Sequence, residues 1–218
     1  MPITYKAFDF ADGVRMYRRK LPHWRQDGCA YFVTFRLGDS IPQHLLREWE
    51  AVREGWLLHH PQPWTEAVMA EYHETFTAQM EAYLHAGYGA CVLRRREAGA
   101  VVADSLECLD RVRYHLGEYV VMPNHVHAIL LPIDGFELEQ LVGACKGYTS
   151  QMINKLLRRR GALWADEYCD HIVRHEAEMN RTAAYIRANP TKAGLRADAV
   201  CSGGSSENWL CTPPRCSL

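Results

Sequence analysis

The stretch VVMPNHVHAILLP, residues 120–132, decides how the chain is read. Its β-branched and aliphatic residues belong in a buried strand, yet His125 and His127 interrupt them one residue apart. In a strand, residues i and i+2 point to the same side, so both imidazoles share one face and Val126 takes the other. Two imidazoles side by side are half of a metal site; a single one in such a place is more often a hydrogen-bonded core residue. A closed zinc site needs two more ligands, and the sequence has no further Cys/His pair at fitting spacing. An open site for a hard divalent ion, completed by an oxygen ligand and a substrate phosphate, suits the pair better.

Working outward, RYHLGEYVVMP and HVHAILLPID read as two strands joined at Pro123-Asn124. CAYFVTFRLGDS, Cys29 to Ser40, reads as a third strand that ends in a turn. Helical spacing predicts helices over residues 95–112 and over Glu137 to Arg160, the latter stopped by Gly161. EYCDHIVR is a short apolar segment, and the helix after it, from Glu176, is expected to end at Asn189-Pro190. Met179, Ala183 and Ile186 form the core stripe of that helix. Arg181, Tyr185 and Asn189 follow at i, i+4 spacing on a different, polar face. By itself Tyr185 reads as a half-buried structural tyrosine, and only a partner site changes that reading. The mixture of strands and helices makes the chain α+β. Between the third strand and the helix at 95, residues 42–86 carry two helices broken at PQP (61–63) and rich in Glu, an acidic helical insertion. From about Ala197 the composition is that of a flexible tail.

With 218 residues the chain can bury a full core. A net charge of −1 argues against a simple electrostatic nucleic-acid binder, but the charges are segregated. Basic clusters lie at Arg15, Arg18, Arg19, Lys20 and Arg25, at Arg94 to Arg96, and at Lys155 and Arg158 to Arg160, while acids collect between Glu48 and Glu81. The eight cysteines include no C-x-x-C pair and read as buried small hydrophobes rather than as a disulfide or zinc framework. No apolar run approaches the ~20 residues needed to cross a bilayer, and the N-terminus lacks the apolar core of a signal peptide, which points to the cytoplasm and away from a membrane.

VVMPNHVHAILLP resembles the His-hydrophobic-His signature of the HUH single-strand nucleases. WADEYCDHIVRHEAEMNRTAAYIRANPTKAGL, residues 164–195, resembles the C-terminal signature of the REP-associated tyrosine transposases, relatives of the single-tyrosine insertion-sequence transposases. The resemblance covers about residues 15–40 and 88–196; the insertion and the tail carry no matching motif. It implies an α+β fold, a small antiparallel sheet flanked by helices in a ferredoxin-like HUH core, in one catalytic domain over residues 1–196, with 197–218 as the tail. It also implies that His125, His127 and Asn189 bind Mg²⁺ or Mn²⁺ and that Tyr185 is the nucleophile. The implied activity is cleavage and rejoining of single-stranded DNA beside the hairpins of repetitive extragenic palindromes, next to a short 5′ guide sequence, through a 5′-phosphotyrosine. Arg18, Arg19 and Lys20 in the N-terminal arm, with Trp164 and Arg174, are the expected nucleic-acid contacts, since single strands bind basic grooves with aromatic platforms. The unit is expected to work as a monomer or homodimer. Tyr148 competes for the nucleophile's role, but its i+4 neighbour is Met152, no ligand for a hard ion. Two other readings stay open: a domesticated binder of structured single-stranded DNA or RNA, and a metal-dependent hydrolase that uses water.

Overall fold

The computed structural model describes residues 2–9, 11–18, 22–61, 64–204 and 208–212. Its centre is a five-stranded antiparallel sheet in the order β7-β4-β6-β5-β8. The strands are β4 (Tyr31–Leu37), β5 (Tyr114–Val121), β6 (His125–Pro132), β7 (Trp164–Ile172) and β8 (Cys201–Gly203). β6 sits in the middle, which explains why its residues are almost all buried although they alternate in facing. Val126, Ala128 and Leu130 join the larger core, while Ile129 and Leu131 join a second core on the opposite face. His125 and His127 share the parity of Ile129 and therefore lie on that second face.

Helices α4 (Arg96–Glu107) and α5 (Leu138–Leu156) cover the first face, through Ala98, Val102 and Leu106 of one and Leu141, Val142 and Cys145 of the other. Helix α6 (Glu176–Lys192) covers the second, with Met179 and Ile186 in its core. His175 caps α6, its Nδ1 accepting from Glu178 N at 3.1 Å. The expected stop at Asn189-Pro190 is corrected: the helix continues to Lys192 with Pro190 inside it. Proline costs little so near the end. Gly194, at φ +68°, turns the chain just beyond it, and the Leu195 and Ala193 amides satisfy the carbonyls of Pro190 and Asn189. The other two helices, by contrast, end earlier than their spacing predicts, each followed by a residue in the left-handed region, Arg111 (φ 61°) after α4 and Arg158 (φ 50°) after α5.

The N-terminal arm is more ordered than a polar arm. Strands β2 (Arg15–Arg18) and β3 (Pro22–Arg25) form a hairpin, pinned to the sheet by Arg25, whose guanidinium meets Asp170 at 2.5 Å and Glu139 at 2.7 Å. Part of the tail is also structured: β8 lies on the sheet edge beside β5, and β9 (Trp209–Thr212) runs parallel to β1 (Ile3–Lys6). Tail residues 205–207 and 213–218 lie outside the described residues.

The insertion is helical, as its periodicity predicts, but it folds as α1 (Gln43–His59) followed by one long segment in three parts. These are α2 (Glu66–Tyr72), a π-helical turn (His73–Thr77) and α3 (Ala78–His85). The helices make a small core of their own from Ile41, Trp49, Phe76, Met80 and Leu84. A π turn inserts one residue into the ladder, so every side chain beyond it is rotated by about 100° from where an unbroken α-helix would place it. That turn determines which side of α3 meets the sheet.

Candidate active site

His125 and His127 point from the middle of β6 into the space beneath α6, both 1% exposed or less. Their Nε2 atoms face each other at 3.1 Å. The opposite ring nitrogens are held by neighbours. His125 Nδ1 lies 2.7 Å from Asn124 Oδ1, and His127 Nδ1 lies 2.8 Å from Thr34 Oγ1, its cross-strand partner on β4. The Asn124 amide nitrogen donates to Leu84 O (3.1 Å), which fixes the amide's orientation. Its oxygen can only accept, so His125 carries its proton on Nδ1 and presents a bare lone pair on Nε2. Converging imidazole ring nitrogens, each backed by a polar partner on the other ring nitrogen, are how histidines are prepared for a cation. The donor set fits a divalent metal. Burial first, and then the neighbouring His127, push the His125 imidazole well below its usual range, which keeps that lone pair available.

Tyr185 and Asn189 extend from α6 into the same space. The Tyr185 ring lies 5.5 Å from that of His127 and makes an edge contact with Phe32, which itself stacks on His127. Asn189 is fully buried, its Oδ1 3.4 Å from His85 Nε2 and its Nδ2 without a partner among the described residues. The structure thus brings together His125, His127, Tyr185 and Asn189. Tyr148 is 54% exposed on α5, the helix that packs on the other face of the sheet.

Two residues that the sequence reading did not single out complete the cluster, both from the insertion. The Tyr185 hydroxyl donates to Glu81 Oε2 at 2.5 Å, and the same oxygen lies 3.4 Å from His127 Nε2. Glu81, His85 and His125 each place a donor atom within 4.8 Å of the others. Burial opposes the charge on Glu81, but His127 and the Tyr185 hydrogen bond outweigh it and hold the carboxyl down at about 2. The Tyr185 phenol is pushed well up, by burial first and then by Glu81. With the carboxyl held down and the phenol pushed up, Glu81 orients the hydroxyl rather than taking its proton.

Among the expected nucleic-acid contacts, Arg19 and Lys20 lie outside the described residues, as does the side chain of Arg18, the last residue of β2. Trp164 is corrected. It is 6% exposed, packs against Phe35 and donates its indole N–H to Thr149 Oγ1 at 3.0 Å, which makes it a core residue with no face free for a base. Arg174 lines a cleft of about 390 Å³ between the insertion and β7, together with Trp24, Trp64, His73, His171 and Glu81. The cleft reaches Glu81, the carboxylate that accepts from the Tyr185 hydroxyl, while Tyr185 itself does not line it. His171 has a structural partner, Glu178 Oε1 at 2.6 Å. No helix of the described residues is long and apolar enough to cross a membrane.

The chain is similar to several known proteins. An uncharacterized protein of Haemophilus influenzae is 31% identical over 102 residues, covering 34% of this chain and 53% of that protein, so the match spans about half of its length. A solved structure of a REP-associated tyrosine transposase bound to a REP hairpin matches with a TM-score of 0.44 and 19% identity, over 83% of this chain and 74% of that one. The family model described as "Transposase IS200 like" matches residues 99–189, a range that begins inside α4 and closes on Asn189. That range holds His125, His127, Tyr185 and Asn189 and leaves the insertion outside.

Proposed function

We propose that the protein is a metal-dependent single-strand DNA endonuclease and strand transferase of the REP-associated tyrosine transposase type. The observation that carries this reading is the convergence of the Tyr185 hydroxyl, the Nε2 atoms of His125 and His127 and the Asn189 amide in one buried space. His125, His127 and Asn189 would hold Mg²⁺ or Mn²⁺. When bound, the ion supplies neutralisation of charge on the non-bridging phosphate oxygens. Tyr185 Oη attacks the phosphorus in line, the bond to the 3′ oxygen breaks, and a 5′-phosphotyrosine and a free 3′-OH result. The phenol proton leaves to water and the departing oxygen takes one up, so the step is balanced without any redox partner. A second 3′-OH can then attack the phosphotyrosine and restore the diester, which a water nucleophile would not permit. Phe32 and Glu81 hold the ring and the hydroxyl of Tyr185 in place. The aromatic cleft with Arg174 suits the approach of unstacked bases beside a hairpin.

The test is a covalent trap. The full chain is incubated with Mg²⁺ or Mn²⁺ and single-stranded hairpin DNA, and a protein-DNA adduct is sought by denaturing electrophoresis. An adduct that forms with the wild type and is lost in Tyr185→Phe is the expected result. An adduct that persists in that variant removes Tyr185 as nucleophile. Cleavage without an adduct favours the water-using hydrolase, and tight binding without cleavage favours the domesticated binder.

A further inference from the structure

Helix α3 faces the candidate site with Glu81 and His85, one turn apart on the same side of the helix. The Glu81 carboxylate reaches 3.4 Å from His127 Nε2, and His85 Nε2 reaches 3.4 Å from Asn189 Oδ1. Glu81, His85 and His125 form a cluster whose donor atoms lie within 4.8 Å of one another. The approach is anchored: Asn124, the residue before the histidine pair, donates its amide to the carbonyls of Leu84 (3.1 Å) and Tyr88 (3.5 Å), which brackets His85. The fully buried Asn189, whose Oδ1 meets His85, lies in the same side-chain cluster. Neither Glu81 nor His85 falls in the segment matched by the transposase family.

We infer that the insertion supplies two metal ligands, Glu81 and His85, to the ion held by His125 and His127, and that the ion is a first-row transition metal of the Mn²⁺, Co²⁺ or Zn²⁺ class rather than Mg²⁺. This rests on the reading of His125 and His127 as a metal pair. The chemistry follows from the donors. Mg²⁺ prefers a small octahedron of oxygens and sheds water reluctantly, so three imidazoles and one carboxylate are a poor shell for it. The same four donors suit the softer divalent ions, for which imidazole is a preferred ligand. Ligands from α3 and from β6 also make the ion a bridge between the insertion and the sheet, so binding stabilises the way the insertion is seated.

The experiment uses the full chain with Co²⁺ alone and Mg²⁺ alone as probes, read by calorimetry and by the visible absorption of bound Co²⁺. One Co²⁺ per chain is expected, little displaced by excess Mg²⁺. Glu81→Gln and His85→Gln are each expected to raise the Co²⁺ Kd by more than about 10-fold, since losing a ligand should cost at least as much as losing one of a ligand's supporting partners. X-ray absorption of the Co²⁺-loaded wild type, which needs no variant to fold, should count three imidazoles. Two imidazoles, or an unchanged Kd in both variants with loss only in His125→Ala, overturns the inference and leaves the proposed function intact. Displacement of Co²⁺ by comparable Mg²⁺ also overturns it. If the wild type binds no Co²⁺ the inference falls, and the covalent trap in Mg²⁺ then decides the function separately. Three imidazoles together with no adduct uphold the metal site and sink the nuclease reading.

Discussion

Asn124 is the residue on which the insertion and the histidine pair both lean, and replacing it separates two effects. Its side chain is 1% exposed, accepts from His125 Nδ1 (2.7 Å) and donates to Leu84 O (3.1 Å) and Tyr88 O (3.5 Å). Asn124→Ala strands a buried imidazole N–H and a buried carbonyl, each costing about 1–3 kcal/mol. The Tyr88 contact is too long to add much. Some of the loss returns if water enters the vacated space, so the expected destabilisation is about 2–4 kcal/mol. The metal effect has a different origin. Without its acceptor, His125 is free to carry the proton on Nε2, where a lone pair is needed. Forfeiting a hydrogen-bond preference of about 1–2 kcal/mol weakens binding by roughly 5- to 30-fold. Asn124→Asp keeps the acceptor for His125 and adds negative charge, but sets a carboxylate against the carbonyls of Leu84 and Tyr88. The order expected for Mn²⁺ affinity is therefore Asp at or above Asn and both above Ala. For stability, Asn stands above both variants. Urea unfolding and Mn²⁺ titration of the three proteins measure the two orders. An alanine variant within about 0.5 kcal/mol of wild type and with unchanged Mn²⁺ affinity would refute the reasoning.

Arg25→Met removes the guanidinium that meets the buried Asp170 carboxylate at 2.5 Å, with a cost of about 3–5 kcal/mol in urea unfolding. The double variant with Asp170→Leu should recover part of that loss, and a single variant costing under about 1 kcal/mol would show the pair to be dispensable. Acid should destabilise the fold in two windows. His73 is lowered to about 4, by burial first and then by His171 and Arg174, so between its ordinary 6.5 and about 4 the unfolded chain binds a proton that the folded chain refuses. Stability therefore falls as the pH drops through that range, by on the order of 1 kcal/mol, and His73→Gln should flatten the fall in unfolding series at pH 7 and 5. Glu178 is held at about 2 because, against its burial, His171 and the Arg174 amide favour the carboxylate. Its contribution is complete above about 4.5 and is lost as the pH falls toward 2, so Glu178→Gln should reduce the acid sensitivity below 4.5 without altering the window of His73.

The sheet was legible because β6 and its neighbours obey simple periods. Alternation along residues 125–131 puts the histidines with Ile129 and Leu131, and the i, i+4 series on α6 puts Tyr185 with Asn189, so two local rules suffice to build the shared face. Trp164 was misread although the same rule applies to it. Trp164, Tyr168 and Ile172 are the buried positions of β7, four residues apart and all in the larger core. The two tail strands were not legible, because three or four residues carry no period and are ordered only by pairing with β5 and β1.

Glu81 and His85 were hidden for a deeper reason. In an acidic insertion with Glu48, Glu50, Glu54, Glu66, Glu71 and Glu74, one more Glu reads as part of a solvated face, and nothing local says which face turns inward. Helical phase cannot be carried from α2 into α3, because the π turn at His73–Thr77 resets it by one residue. The side of α3 that meets the sheet is chosen by long-range contacts, Leu84 in the insertion's own core and the Leu84 carbonyl on the Asn124 amide. The tyrosine and the histidine pair belong to a segment whose pattern is shared with a family, while the residue that holds the tyrosine's hydroxyl comes from an element outside that segment. A local sequence signature identifies the tyrosine's face and cannot identify what closes over it. Here the insertion closes over it, so substitutions in α3 should alter metal choice and the setting of Tyr185 while leaving β6 and α6 unchanged.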